Sequence, residues 1–168
     1  MKIDALLKSA EPSEIQDKAR QLERLGYDGV WTFEAQNDPF LPLSFALNAT
    51  QTLSLGTNIT VAFARSPFAL AQTSWDLQRF AKGRFKLGLG TQVKAHIERR
   101  YSIKFDKPAA KIEEYIICLR AIWDSFQNGN APNFNGEFYK FTLLTDFFNP
   151  GPNPCAHIPI YLAGVNPL

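Results

Sequence analysis

Residues 55–92, LGTNITVAFARSPFALAQTSWDLQRFAKGRFKLGLGTQ, set the fold class. The run at 55–63 is apolar and β-rich, and residues 85–90 form a second run of the same kind. Between them, Ser66 and Pro67 take the cap and first-turn positions of a helix that runs through Trp75 and Leu77 to Phe80, where Lys82-Gly83 stops it. Strand, helix and strand within about thirty residues is the size of one βαβ unit. Continuous apolarity, where a half-exposed strand would alternate, fits burial on both faces, as in a parallel sheet covered by helices.

The same alternation extends in both directions. Apolar runs at 3–7 and 29–33 precede this unit and one at 158–163 follows it. Ser13 opens a first helix in which Ile15, Ala19, Leu22 and Leu25 recur at helical spacing until Gly26 ends it. Residues 40–50 form a weaker second helix, with Pro42 in its first turn. Pro108 begins a fourth, whose apolar face is Ile112, Tyr115, Ile116, Leu119, Ile122 and Trp123. Strictly alternating strands and helices give an α/β fold with parallel strands and right-handed crossovers. Residues 127–157 break the rhythm: Asn135-Gly136 between aromatic residues signals a hairpin turn, and a Pro-rich stretch follows. That segment reads as an insertion within a single domain spanning 1–168.

Composition narrows the function. Eighteen Lys and Arg against sixteen Asp and Glu leave a net charge of +2 without a basic block, which argues against nucleic acid or an anionic membrane as partner. Asp4, Glu11 and Glu14 interrupt what a secretion signal would need, and no apolar stretch reaches membrane-spanning length, so a cytoplasmic protein is expected. The two cysteines, Cys118 and Cys155, have no metal-type spacing, and no metal site is expected.

LERLGYDGVWTFEA at 22–35, the 55–92 stretch, GEFY at 136–139 and PIYLAGV at 159–165 together resemble the luciferase-like monooxygenase superfamily. Residues 60–100 look most like its deazaflavin-dependent branch. The resemblance implies a (β/α)8 TIM barrel, of which this chain would hold the first five parallel strands with four helices and a small hairpin, since a full barrel takes about 250 residues. It implies FMN or the deazaflavin coenzyme (factor 420), a small-molecule substrate and homo-oligomerisation. The alternative is a truncated, non-catalytic half-barrel that associates through its open sheet edge.

The cofactor carries hydride chemistry, so the protein's part is to hold the ring and bind its phosphate. Gly88, Gly90, Thr91 and Gln92 follow the fourth strand, the glycines permitting close backbone approach and Thr91 and Gln92 offering hydrogen bonds. A plain barrel strand using glycine for room is the other reading of these residues, and GLGTQ lacks the third glycine of a Rossmann motif. Ala62, Phe63 and Ala64, at the end of the third strand, occupy the place where the resemblance implies a non-prolyl cis peptide behind the ring, at Ala62–Phe63. Gly164 and Val165 close the fifth strand, where superfamily amides help bind phosphate. Ala35 stands where the superfamily often has His after an acid, which leaves Glu34 and Asp38 as local acid/base candidates. For these two, an ion pair with Arg65 or a helix cap is the structural alternative. His96 and Arg99 would share a helical face able to meet an anion, or lie as solvated surface.

Overall fold

A computed structural model describes residues 1–8 and 11–164. The first half of the chain runs β1 (Asp4–Leu6), α1 (Pro12–Arg24), β2 (Gly29–Thr32), α2 (Leu41–Ala49), β3 (Ser54–Thr57), β4 (Thr60–Val61) and α3 (Pro67–Phe80). The second runs β5 (Phe85–Gly90), α4 (Lys94–Arg99), α5 (Pro108–Asn128), β6 (Phe134–Asn135), β7 (Lys140–Phe141) and β8 (Ile160–Leu162). The chain packs into two compact units interleaved in sequence, one of Met1–Thr60, Leu77–Gly90 and His157–Leu168, the other of Val61–Asp76 and Thr91–Ala156.

The first unit is an open parallel sheet in the order β1-β2-β3-β5-β8, which is the order of a (β/α) barrel wall. Asp4 pairs with Gly29, Gly29 with Ser54, Leu55 with Phe85 and Leu87 with Ile160. Among the described residues the barrel is not closed; β1 and β8 are the end strands of this wall, and the two-residue β4 also pairs with β5. The central strands are buried as their apolar sequences require, with Val30, Leu55, Phe85, Leu87 and Leu89 at most 1% exposed. The end strands differ: Leu6, Tyr161 and Leu162 are each about half exposed, because an end strand lacks a neighbour on one side.

Two local expectations change in this unit. Helix α1 begins with Pro12 at its first turn after Glu11, so Ser13 lies inside the helix and makes no cap. Leu25 is solvent-exposed, while Ile15, Ala19 and Leu22 form the buried stripe. The end of α1 is as read: Gly26 has φ 81°, its N–H reaches Glu23 O at 3.1 Å and the Tyr27 N–H reaches Leu22 O at 3.1 Å, a Schellman closure. The 55–63 run is not one strand. Beyond Thr57 the chain turns at Asn58-Ile59 before Thr60, and residues Ala62–Ala64 form a 3-10 turn.

Two polar side chains brace this wall from behind. The buried Gln78 accepts from the Phe85 N–H at 3.0 Å and donates to the His157 carbonyl, joining the start of β5 to the approach to β8. Glu23 receives the amides of Gln51, Thr52 and Leu53 and the Thr52 hydroxyl at 2.6–3.0 Å, fixing the entry to β3. Burial raises the Glu23 pKa, but these donors outweigh it and hold the carboxyl below its ordinary value.

The second unit is built on α5, which starts at Pro108, ends at Gly129 (φ 69°) and buries Ile112, Tyr115, Cys118, Leu119, Ile122, Trp123 and Phe126. Cys118 is on that face and the half-buried Ile116 at its margin. The hairpin forms with Phe134 opposite Phe141 and Asn135 opposite Lys140. Its loop is four residues long, where Asn135-Gly136 alone would give a two-residue turn. The reason is Glu114, whose carboxylate accepts the Glu137, Phe138 and Tyr139 amides at 2.7–2.9 Å. The Pro-rich segment is ordered on the same core, with Asn153 donating to the Trp75 carbonyl at 3.1 Å and Gly151 accepting from the Trp75 indole at 3.2 Å.

Candidate functional site

In the first unit, Trp31, Thr57, Asn58, Ile59, Gly88, Tyr161, Leu162 and Ala163 line a cavity of about 180 Å³. These residues come from β2, β3, β5 and β8 and from the segments just beyond β3 and β8, toward the carboxyl ends of parallel strands, where barrel enzymes place their chemistry. One wall is backbone. A Cβ on Gly88 would lie 1.8 Å from the Thr57 carbonyl oxygen, so only glycine permits this approach of β5 to β3. The Thr57 hydroxyl seals the contact, donating to Gly88 O at 2.8 Å and accepting from Gly88 N at 2.9 Å. A Cβ on Gly90 would meet the Ile59 side chain at 2.7 Å.

Another wall is aromatic. The Trp31 and Tyr161 rings meet edge to face, 5.6 Å apart at 79°. Asp4 accepts the Trp31 indole N–H at 2.7 Å, and the Lys86 ammonium lies 5.6 Å from the indole ring centre. Neither aromatic residue is singled out as a site residue by the sequence; glycines at positions 29 and 56, inside strand patterns, were the available signal of a close approach.

The cis peptide lies at Asn58–Ile59, and this corrects its expected position at Ala62–Phe63. The third strand ends at Thr57, so the strand end is several residues earlier than an unbroken 55–63 run implies.

A second cavity in the first unit, about 340 Å³, is lined by Leu7, Lys8, Thr32, Phe33, Ala35, Gln36, Asn37, Asp38 and Pro42. Asp38 accepts the Phe40 and Leu41 amides at 2.8 and 3.1 Å, closing a turn just ahead of α2, whose cap residue is Phe40. Glu34 accepts from the Thr60 hydroxyl at 3.0 Å, and its own amide donates to Ile59 O. Gly164 is exposed, with no atom near where its Cβ would sit, and Val165 lies outside the described residues.

The remaining candidates belong to the second unit. Ala62 and Phe63 are buried in the 3-10 turn, with Ala64 half-buried. The Phe63 ring packs edge-on to Phe105, with the Lys111 ammonium 4.9 Å from its centre. Thr91 donates to the Gln92 carbonyl at 3.2 Å; Gln92 has φ 60°, and its side-chain oxygen accepts from the Val93 N–H. His96 and Arg99 are exposed on α4, so that segment is helical, with the two residues three apart. Burial raises the pKa of both Tyr115 and Tyr139 above the usual phenol range, and burial followed by the Glu114 charge pushes the Cys118 thiol up to about 11.

The sequence model of the luciferase-like monooxygenase family matches residues 2–168. The chain belongs to that family. Among curated relatives, an uncharacterised Mycobacterium tuberculosis protein is 49% identical to this luciferase-like chain over 149 residues, 89% of this chain and 44% of its own length. An F420-dependent glucose-6-phosphate dehydrogenase of Intrasporangium calvum is 27% identical over 173 residues, covering 94% of this chain and 49% of its own. The solved oxygenating constituent of 3,6-diketocamphane monooxygenase from Pseudomonas putida, in complex with FMN, superposes with a TM-score of 0.79 at 16% identity, over 96% of this chain and 51% of its own, and shows the shared fold. The chain thus spans about half the length of the relatives it matches.

Proposed function

We propose that this chain supplies the ring-binding strands of an oxidoreductase that uses FMN or coenzyme F420 on a small-molecule substrate. The observation that carries the reading is the cavity toward the carboxyl ends of β2, β3, β5 and β8, with bare backbone on one side and an aromatic corner on the other. The lining fits a flat heteroaromatic ring. Gly88 and Gly90 let the Thr57 backbone and the Ile59 side chain come close against β5, and the exposed Asn58 amide offers both donors and an acceptor to a ring edge. The cofactors of the P. putida and I. calvum proteins support the same class of ligand.

Such a cofactor, when bound, supplies a hydride to the substrate or, as reduced FMN, electrons to molecular oxygen. This chain's residues bind, orient and move protons. Gly88 sets the backbone wall, and Gly90, the Thr91 hydroxyl and Gln92 are further proposed cofactor contacts. Ala62, Phe63 and Ala64 are proposed cofactor contacts on the second unit, and Gly164 and Val165 are proposed phosphate contacts. Glu34, which accepts from the Thr60 hydroxyl, and Asp38, which accepts two amides, are the proposed acid/base groups for the substrate. His96 and Arg99 are the proposed contacts for an anionic group.

No helix among the described residues is long and apolar enough to cross a membrane, and a cytoplasmic setting is part of the proposal. Fluorescence titration with FMN, F420 and an adenine dinucleotide tests the reading: saturable binding of FMN or F420 is expected, and binding of neither overturns it.

One observation favours association as well. Ile3, Leu6, Phe33, Tyr161 and Leu162, in or next to strands of a parallel sheet, are 39–52% exposed, in an architecture that ordinarily covers both faces. A second copy meeting the β1 or β8 edge would cover some of them. Sedimentation should then show a dimer or larger species, and a folded monomer at tens of micromolar would exclude it.

A further inference from the structure

Trp31 is held more tightly than its place on an open sheet face requires. Asp4, one strand away, accepts its indole N–H at 2.7 Å. Position 29, which pairs with Asp4, is glycine, and a Cβ there would lie 2.9 Å from the Asp4 carboxylate. Position 56, which pairs with Trp31, is also glycine, and a Cβ there would sit 2.4 Å from the indole ring. Lys86 lies 5.6 Å from the ring centre, and Tyr161 meets it edge to face. A glycine on the same strand, and a carboxylate, a second glycine, an ammonium and a phenol from four other strands, thus seat one indole. Burying a tryptophan in a core takes no such arrangement: Trp75 and Trp123 satisfy their N–H groups on backbone carbonyls.

We infer that Trp31 and Tyr161 form a right-angled aromatic corner that selects a planar, π-bonded ligand, and that Asp4 is a positioning residue acting through the Trp31 indole. A flat ring in the cavity can lie along one aromatic plane while its edge meets the other, and both arrangements are favourable for aromatic pairs. Asp4 sets the plane by fixing the indole N–H. This rests on the proposed ring-binding function and adds the residues that give the site its preference for a flat ligand.

The test uses FMN as probe, with ribitol 5-phosphate, which keeps the tail and lacks the ring, as competitor. Trp31→Leu and Tyr161→Leu should each weaken FMN binding by about tenfold while leaving ribitol phosphate unchanged. Tyr161 is half exposed, so its variant keeps the fold even if the Trp31 variant does not. Asp4→Leu should weaken FMN about threefold and Asp4→Asn, which keeps an acceptor oxygen, should restore it. A ligand-free readout accompanies these: in ¹⁵N-labelled protein the Trp31 indole N–H should exchange slowly with solvent in the wild type and Asp4→Asn, and rapidly in Asp4→Leu. Wild-type binding of FMN with equal affinity in Tyr161→Leu, or an indole N–H indifferent to Asp4→Leu, overturns this inference and leaves the ring-binding function standing. Failure of the wild type to bind both FMN and F420 overturns both.

Discussion

Replacing Gly88 by alanine probes the contact on which the cavity wall depends. The added Cβ would begin 1.8 Å from the Thr57 carbonyl oxygen and 2.9 Å from its carbonyl carbon, both backbone atoms that cannot rotate away. Relieving the contact to an ordinary separation moves β5 from β3 by on the order of 1 Å, an overpacking cost of roughly 1–3 kcal/mol. The same movement stretches the two hydrogen bonds between the Thr57 hydroxyl and Gly88, now 2.8 and 2.9 Å, each contributing about 1 kcal/mol. The sum is roughly 3–5 kcal/mol against a total stability of about 5–15 kcal/mol for a domain. With a urea dependence of about 2 kcal/mol per molar, the unfolding midpoint should fall by roughly 1.5–2.5 M. Gly164→Ala is the control, since nothing lies within 4 Å of its Cβ position, and it should shift stability by less than about 0.5 kcal/mol. A Gly88→Ala midpoint within about 0.2 M of the wild type would refute the reasoning.

Three further outcomes follow from side-chain chemistry. Glu23→Gln should cost roughly 1 kcal/mol at neutral pH, discounted for partial exposure of the carboxylate. Because the folded-state pKa of Glu23 is depressed, this contribution is present above its unfolded value and lost as pH falls through the folded value, so the two proteins should converge in acid; a constant gap down to pH 2 would contradict the assignment. Glu114→Ala should raise hydrogen exchange at the Glu137, Phe138 and Tyr139 amides by about tenfold or more, since one carboxylate accepts all three; unchanged protection would show that the hairpin loop holds itself. Cys118, 1% exposed and with its thiol pushed up to about 11, should resist a thiol reagent at pH 8 until urea is added, whereas the partly exposed Cys155 should react at once; equal native rates would contradict the packing of α5.

The wall of parallel strands was legible because buried parallel strands carry continuous apolar sequence, and the runs at 29–33 and 85–90 match β2 and β5 closely. The break in the third strand was not. Thr57, Asn58 and Thr60 interrupt the run only lightly, and hydrophobicity does not register where a backbone turns. Gly26 announced the end of α1, but the start was misplaced by the rivalry of Pro12 and Ser13 for the first turn, which proline won with its fixed φ. The glycine motif pointed to Gly88, because a glycine inside a strand signals close approach. The aromatic corner was hidden, since Trp31 and Tyr161 meet only when β2 and β8 are brought onto one curved sheet. Glu114 was hidden for a related reason: a carboxylate that gathers three amides of a distant loop has no local signature. The family resemblance, not periodicity, carried the functional reading, and the family match bears out the resemblance itself.

A ¹⁵N correlation titration of the unliganded protein with FMN and, separately, with F420 tests the central claim most directly. Saturable shifts should concentrate at the amides of Asn58, Ile59, Gly88, Tyr161, Leu162 and Ala163, which line one cavity. Saturable shifts that fall elsewhere, or none with either compound up to millimolar concentration, would contradict the assignment of this cavity as the ring-binding site.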